Sequence, residues 1–214
     1  MKIVLLGPPG SGKGVQSFML SEKFSLRRVC LGDILREEVK KESDLGKEVK
    51  GYMEKGLLVP DEVVSVVVRK NLDDNESFVL DGYPRNLAQA KILEDILQQK
   101  GLSLDAVIYL EVNEETVVRR LTARRVCKEC GSVYNLQTMP PKQKGICDKC
   151  GGVLIVRNDD RDEVVRERWR VFMESITPLV DFYEKKGKLI RIDAIGSKDE
   201  VFQRIEEKLT PILH

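Results

Sequence analysis

The chain of 214 residues has a single histidine, the terminal His214, and no run of 18 apolar residues. No serine elbow and no cysteine–histidine pair stands out. Without a long apolar run there is no candidate membrane helix, and the apolar run at the start, Ile3 to Leu6 after Lys2, is too short for a signal peptide; a cytoplasmic location is expected. Charge of one sign is missing too: 36 Lys and Arg stand against 35 Asp and Glu, a net +1. That balance gives no general attraction to nucleic acid or to a membrane surface, so any anion binding must be local. There is no internal repeat and no low-complexity tract. The length suits one α/β core with small inserts, long enough to bury roughly 70% of its unfolded surface.

What is present begins at Met1. Lys2–Leu6 reads as a buried strand that runs into Gly7-Pro8-Pro9. Gly7, four residues, then Gly12-Lys13 follow the strand, with a further glycine at Gly10. Residues without Cβ let backbone N–H groups close on a phosphate at a helix N-terminus, and Lys13 supplies a point charge for the outer phosphates. Gly14 stands where such loops usually carry Ser or Thr, so the usual hydroxyl ligand for magnesium is absent there.

Further strands are expected at Arg27–Cys30, Phe78–Leu80, Val107–Glu111 and Leu189–Asp193, which makes a five-stranded parallel sheet with helices on both faces. Helices are expected over Lys13–Phe24, Gly32–Lys41, Leu45–Glu54, Asp61–Asn71, Asn86–Gln99, Asn113–Ala123, Asp162–Lys186 and Lys198–Leu213, the long one kinked by Pro178. Two segments break the strand–helix alternation: a pair of short helices within 30–59, and an irregular ribbon over 124–161. The core is then 1–29, 60–123 and 162–214. Both inserts leave the carboxyl ends of strands, where open α/β sheets bind ligands.

The ribbon holds Cys127-x2-Cys130 and, sixteen residues on, Cys147-x2-Cys150, the spacing of a four-thiolate zinc site, with free thiols or two disulfides as the alternatives. Four thiolates leave no open position for water, so the metal would fold the insert and not catalyse. Cys30 reads as a small buried hydrophobe. After the third strand, Asp81-Gly82-Tyr83-Pro84-Arg85 places a carboxylate beside the phosphate loop; Asp81, with Asp33 second, is the candidate for holding a magnesium–water shell. Arg85 aims a planar fork at an oxyanion from a turn stiffened by proline. Arg36, Arg120, Arg124, Arg157 and Arg168 complete a set of cations gathered at the ends of the inserts, while Arg119, Arg125, Arg161 and Arg166 read as solvated. Transfer between phosphates needs no strong base, because the acceptor is already anionic.

With GPPGSGKG, LGDILR, GLLVPDE, DGYPRNLAQA, RRLTARRVCKECG with ICDKCG, and VRNDDRDEVVRERW in this order, the chain resembles the adenylate kinase family, in its long form with a zinc-binding lid, from Met1 to Leu213. The resemblance implies a P-loop core, an AMP-binding insert over 30–59 and a lid over 124–161, in a cytoplasmic monomer that converts ATP and AMP to ADP with Mg2+ and carries structural Zn2+, without nucleic-acid or membrane partners. It also implies that Gly10, Ser11, Gly12, Lys13, Gly14 and Val15 hold the ATP phosphates, that Arg124 and the backbone near Val133 and Tyr134 close over ATP, and that Ile195 meets its adenine. Leu31, Arg36, Leu57, Leu58, Val59, Gly82, Tyr83, Pro84, Arg85 and Gln89 would hold AMP, and Arg157 and Arg168 would reach both nucleotides. Arg120 would line the lid hinge and belongs with Lys13, Arg85, Arg124, Arg157 and Arg168 in the catalytic set. The family usually has threonine at positions 15 and 31; Val15 and Leu31 each remove one hydroxyl, a loss of about 0.5 to 1.5 kcal/mol, so base choice is more exposed than activity. Two alternatives are a monophosphate kinase for another base and a nucleotide-gated module whose ribbon touches nucleic acid. The mild basicity of Lys128, Lys142, Lys144 and Lys149, with Tyr134 as the lone accompanying aromatic, argues against the second.

Overall fold

The computed structural model describes residues 1–72 and 77–212. In chain order the first half comprises β1 (Lys2–Leu6), α1 (Lys13–Phe24), β2 (Arg27–Cys30), α2 (Leu31–Lys40), α3 (Asp44–Lys55), α4 (Asp61–Lys70), β3 (Phe78–Asp81) and α5 (Leu87–Gln99). The second half comprises β4 (Ala106–Glu111), α6 (Glu114–Thr122), β5 (Arg124–Cys127), β6 (Val133–Asn135), β7 (Leu154–Ile155), a 3-10 turn at Asn158–Asp160, α7 (Asp162–Lys185), β8 (Leu189–Asp193) and α8 (Lys198–Leu209).

The five expected strands form one parallel sheet in the order β2-β3-β1-β4-β8. Side-chain alternation divides it into two apolar layers. Val4, Leu6, Val29, Phe78, Leu80 and Val107 face α4, α5 and the second half of α7, where Val64, Val68, Leu93, Leu97, Leu179 and Tyr183 are buried. Ile3, Leu5, Val79, Ile108, Leu110 and Ile192 face α1 and α8 through Leu20, Val201, Phe202 and Ile205.

Register decides where the chemistry sits. Leu5 pairs with Asp81, and Cys30 pairs with Asp81 from the other side. The turn after β1, the aspartate that ends β3 and the start of α2 therefore share one edge of the sheet. β3 extends one residue past the expected Leu80, because Asp81 keeps its place in both ladders.

Residues 30–59 contain α2 and α3, which meet in a tight contact at Gly46, where a Cβ would stand 2.1 Å from the Glu38 carbonyl oxygen. The ribbon over 124–161 is more regular than its composition suggests. β6-β5-β7 is an antiparallel sheet of three strands, paired Val126 to Val133 and Val126 to Ile155. α7 runs unbroken through Pro178. α8 ends at Leu209 and passes into a 3-10 turn over Thr210–Ile212; the expected helix end at Leu213 lies outside the described residues.

Candidate active site

The turn between β1 and α1 is shaped for an anion. α1 starts at Lys13 with no side-chain cap; the Val15 and Gln16 amides donate to the Gly12 carbonyl, both at 3.0 Å, and the amides ahead of them, at Lys13 and Gly14, precede the first intrahelical bond. At Gly10, φ is +78° and a Cβ would stand 2.9 Å from Leu121 Cγ, so only glycine brings this backbone against α6. A Cβ at Gly12 would meet nothing within 4 Å, which leaves open space over the loop. Lys13 folds back across the turn, its Nζ donating to the carbonyls of Gly7 at 2.6 Å and Pro8 at 2.8 Å. Burial pushes the Lys13 amine down to about 8; Asp81 opposes this and the charges of Arg85 and Arg168 add to it.

Five arginines converge here from four parts of the chain: Arg36 in α2, Arg85 after β3, Arg124 in β5, and Arg157 with Arg168 around the start of α7. Arg168, near the start of α7, donates from Nη1 to the Asp159 carbonyl and to Asp159 Oδ2, both at 3.0 Å. Asp160 is fully buried and grips Arg124 through both oxygens, at 2.7 Å to Nε and with a shorter bond to Nη2, while Arg168 Nη1 stands 3.7 Å away. Arg157 feels Arg36 and Arg124 as like charges; burial first, then those neighbours, lower it to about 10. Arg168 falls to about 10, chiefly by burial, against the pull of Asp159 and with the push of Arg124 and Arg85. Asp159 is lowered despite its burial, because Arg168, Arg36, Arg124 and Arg157 surround it. Six cations thus share a cleft with too few carboxylates to neutralise them, which is the electrostatics of a polyphosphate site.

At the floor of the cleft, Asp81 Oδ2 is 3.3 Å from Ser17 Oγ and 3.6 Å from Cys30 Sγ. Cys30 is only partly covered and packs against this carboxylate, so it is more than the expected small hydrophobe; burial and the Asp81 charge push its thiol up to about 12. Asp33, on the first turn of α2, accepts from Arg36 Nη2 at 2.6 Å and from Arg28 Nη2 at 3.2 Å. The oxygens of Asp81, Asp33 and Ser17 are hard donors beside a phosphate loop, a donor set that fits a hydrated magnesium ion. A small crevice next to them is lined by Leu31, Leu35, Leu58, Val59, Val64 and Gln89. Gln89 is held there by the Arg85 backbone N–H, which donates to Oε1 at 2.7 Å, and by its own Nε2, which donates to Asp61 Oδ1 at 2.7 Å. Tyr83 and Pro84 are buried behind it, and the Tyr83 hydroxyl donates to the Gln89 carbonyl at 3.1 Å.

In the ribbon, the sulfurs of Cys127, Cys130, Cys147 and Cys150 all lie within 4.8 Å of one another. Cys127 and Cys150 are 3.4 Å apart and Cys130 and Cys147 are 3.6 Å apart, too long for disulfides. A tetrahedron with metal–sulfur bonds of about 2.3 Å has edges of about 3.8 Å, so the cluster is compatible with four thiolates on one zinc ion. The two knuckles repeat one turn: Gly131 N–H donates to the Cys127 carbonyl at 3.1 Å and Gly151 N–H to the Cys147 carbonyl at 2.9 Å. The Tyr134 hydroxyl, 3.4 Å from Cys147 Sγ, is the main cause that lowers this thiol to about 6.

A sequence model described as adenylate kinase matches residues 5–188, most of the chain. The chain belongs to the adenylate kinase family. A protein named adenylate kinase from Archaeoglobus fulgidus is 48% identical over 215 residues, covering 99% of each chain. One from Caldanaerobacter subterraneus subsp. tengcongensis is 47% identical, covering 98% of this chain and 96% of its own. One from Thermotoga petrophila is 46% identical, covering 95% and 94%.

Within this adenylate kinase framework the expected residues divide. Lys13, Arg36, Arg85, Arg124, Arg157 and Arg168 form a linked set: Lys13 feels Arg85 and Arg168, Arg168 feels Arg124 and Arg85, Arg85 feels Arg36, and Arg157 feels Arg36 and Arg124. The Arg120 guanidinium donates to the carbonyls of Ser11 at 3.3 Å, Ala194 at 2.9 Å and Gly196 at 3.4 Å, tying the phosphate loop to the loop after β8. That second loop carries Ile195, which is 47% exposed. Tyr134 turns its side chain into the cysteine cluster, while Val133 is exposed on the neighbouring strand position. Ser11 is buried, Leu31 lines the crevice with Leu58 and Val59, and Leu57 is exposed. Sequence reasoning missed Asp159, Asp160, Asp61 and Arg28. An acidic pair between arginines in Arg157-Asn158-Asp159-Asp160-Arg161 was the available signal for the first two.

Proposed function

We propose that this chain transfers the terminal phosphoryl group of ATP reversibly to AMP, giving ADP, with the cleft at the carboxyl edge as its site. The observation that carries the reading is the meeting of Lys13 with Arg36, Arg85, Arg124, Arg157 and Arg168 over an uncapped helix start, with no base among them. Such a site works by positioning and by stabilising charge on the moving phosphoryl group. Gly10 to Val15 hold the ATP phosphates through backbone N–H groups, and Lys13 leaves the Gly7 and Pro8 carbonyls to meet the outer phosphates. Arg36 and Arg85 hold the AMP phosphate, and the crevice beside Leu31 and Gln89 takes its base, with Leu57, Leu58, Val59, Gly82, Tyr83 and Pro84 as its wall.

Asp160 and Asp159 keep the arginines in place until phosphates replace them as counter-anions. Residues 30–59 act as the AMP-binding insert and residues 124–161 as a lid whose closure excludes water, a competing acceptor; 1–29, 60–123 and 162–214 form the core. Arg120 braces the lid hinge, and Val133, Tyr134 and Ile195 border the ATP base. Asp81 and Asp33 would hold magnesium through water, and the ion would supply positive charge against the ATP phosphates. Zinc on Cys127, Cys130, Cys147 and Cys150 would fold the lid. A cytoplasmic monomer without a nucleic-acid or membrane partner suits the near-neutral charge of the chain, and no described helix is long and apolar enough to cross a membrane.

The test offers AMP, UMP, CMP and GMP separately with magnesium and ATP and resolves the products by chromatography. Efficient ADP formation from AMP alone is expected. Preference for another monophosphate would move the base assignment to Leu31, and no transfer to any acceptor would overturn the reading.

A further inference from the structure

Arg28 belongs to none of the motifs above, yet its side chain reaches the floor of the cleft. It leaves the edge strand β2, and its Nε donates to Ser17 Oγ at 2.9 Å. Its Nη2 stands 3.2 Å from Asp33 Oδ2 and 3.9 Å from Asp81 Oδ2. The same nitrogen would be 3.7 Å from a Cβ built on Gly14, and Asp81 Oδ2 would be 3.6 Å from it. The guanidinium therefore bridges the two carboxylates at the point where they face the phosphate loop. Asp33 carries a second cation, Arg36, at 2.6 Å, but Asp81 has Arg28 as the one arginine within 4 Å among the described residues.

Two carboxylates that hold a hydrated divalent ion must present their charge to it, and a guanidinium already bridging them occupies the same charge space. The Arg28 side chain is 30% exposed on a flexible stem, so it can move toward solvent without unpacking the core. We infer that Arg28 is a resident cation that competes with divalent metal for the Asp33–Asp81 pair and so raises the free magnesium concentration the site requires. Arg28 is then a positioning residue: it keeps the two carboxylates from repelling each other and yields when the metal nucleotide arrives. The inference rests on the phosphoryl-transfer reading for its role in turnover, but the competition is a property of the carboxylate pair.

The experiment titrates Mn2+ into the full chain, its cysteine site loaded with zinc, and reads free Mn2+ by electron paramagnetic resonance. Arg28→Gln is expected to bind Mn2+ about ten-fold more tightly, the effect of removing one partly screened charge a few ångströms from the ion. Arg28→Lys, which keeps the charge, is expected to stay near the parent, and adding Asp81→Asn to Arg28→Gln to abolish the gain. In turnover, Arg28→Gln is expected to need less magnesium for half-maximal ADP formation. Unchanged or weaker Mn2+ binding in a folded Arg28→Gln protein would overturn the inference, as would a gain that survives Asp81→Asn. If the parent fails to make ADP while the Mn2+ gain is present, the function reading fails and the competition stands; if ADP is made and no gain appears, the reverse holds.

Discussion

Asp160→Asn is the substitution that asks most of the site. The carboxylate is fully buried and serves Arg124 with both oxygens and Arg168 at 3.7 Å, and both arginine side chains are 18% exposed. One such pair near 4 Å is worth about 4 kcal/mol at an effective dielectric constant of about 20, before the cost of burial is taken off. Breaking a buried pair by removing one charge typically costs about 3–5 kcal/mol, because the partner is left uncompensated. Asparagine keeps the shape and one acceptor, so a loss of about 3 kcal/mol is expected. For a chain of this size that lowers the melting temperature by about 6–12 °C. Thermal scanning with and without saturating ATP measures it, and the added ligand carries the second half of the argument: phosphates replace Asp160 as the counter-anion, so the gap between variant and parent should shrink when nucleotide is bound. A melting temperature within about 2 °C of the parent without nucleotide would refute the electrostatic account of this cluster, as would a gap that widens with ATP.

Three further outcomes are expected. Lys13→Met should reduce the rate of ADP formation by at least about 10³, the scale of lost charge contacts in phosphoryl transfer, measured by coupled assay; near-normal turnover would remove Lys13 from the mechanism. Because burial lowers Lys13 to about 8, and bound phosphate would raise it again, ATP binding should take up protons between about pH 8 and pH 10 and not at pH 6, where the amine is already charged. Calorimetry in buffers of different ionisation enthalpy reads that uptake, which should vanish in Lys13→Met. A chelator that strips the cysteine cluster should increase amide exchange across 124–161 while β1, β3 and β4 stay protected, since the ribbon has its own small apolar cluster of Cys127, Tyr134 and Cys147; loss of protection in the sheet would show that the metal holds the core as well.

How much of this was legible in the sequence depends on how local each signal is. The strands were readable because each carries its own alternation and is flanked by a turn; Ile3 to Leu6 and Val79 to Leu80 face their layers by parity alone. The loop at Gly7 to Gly14 and the two cysteine knuckles are written in consecutive residues, and their geometry follows their spelling. The antiparallel pairing of β5 with β6 and β7 was not legible, because strands of four, three and two residues carry too little alternation to read. Contacts that join distant positions stayed hidden for another reason. Arg124 meets Asp160 across 36 residues and Arg28 meets Asp81 across 53, and nothing in an isolated arginine says which carboxylate the fold will bring to it. Arg120 belongs with them: its bonds to the Ser11, Ala194 and Gly196 carbonyls join two loops that lie far from it in the chain. The Tyr134 side chain was equally hidden: its hydroxyl lies 3.4 Å from Cys147 Sγ and accepts the Asp148 amide at 2.8 Å.

The central claim is a reversible exchange between two nucleotides without water as acceptor, and phosphorus NMR of the purified chain tests it most directly. Started from ADP and magnesium alone, the account predicts equal amounts of ATP and AMP growing to the same equilibrium that is reached from ATP and AMP, with no inorganic phosphate released. Inorganic phosphate as the main product, or ADP that stays unchanged, would contradict it.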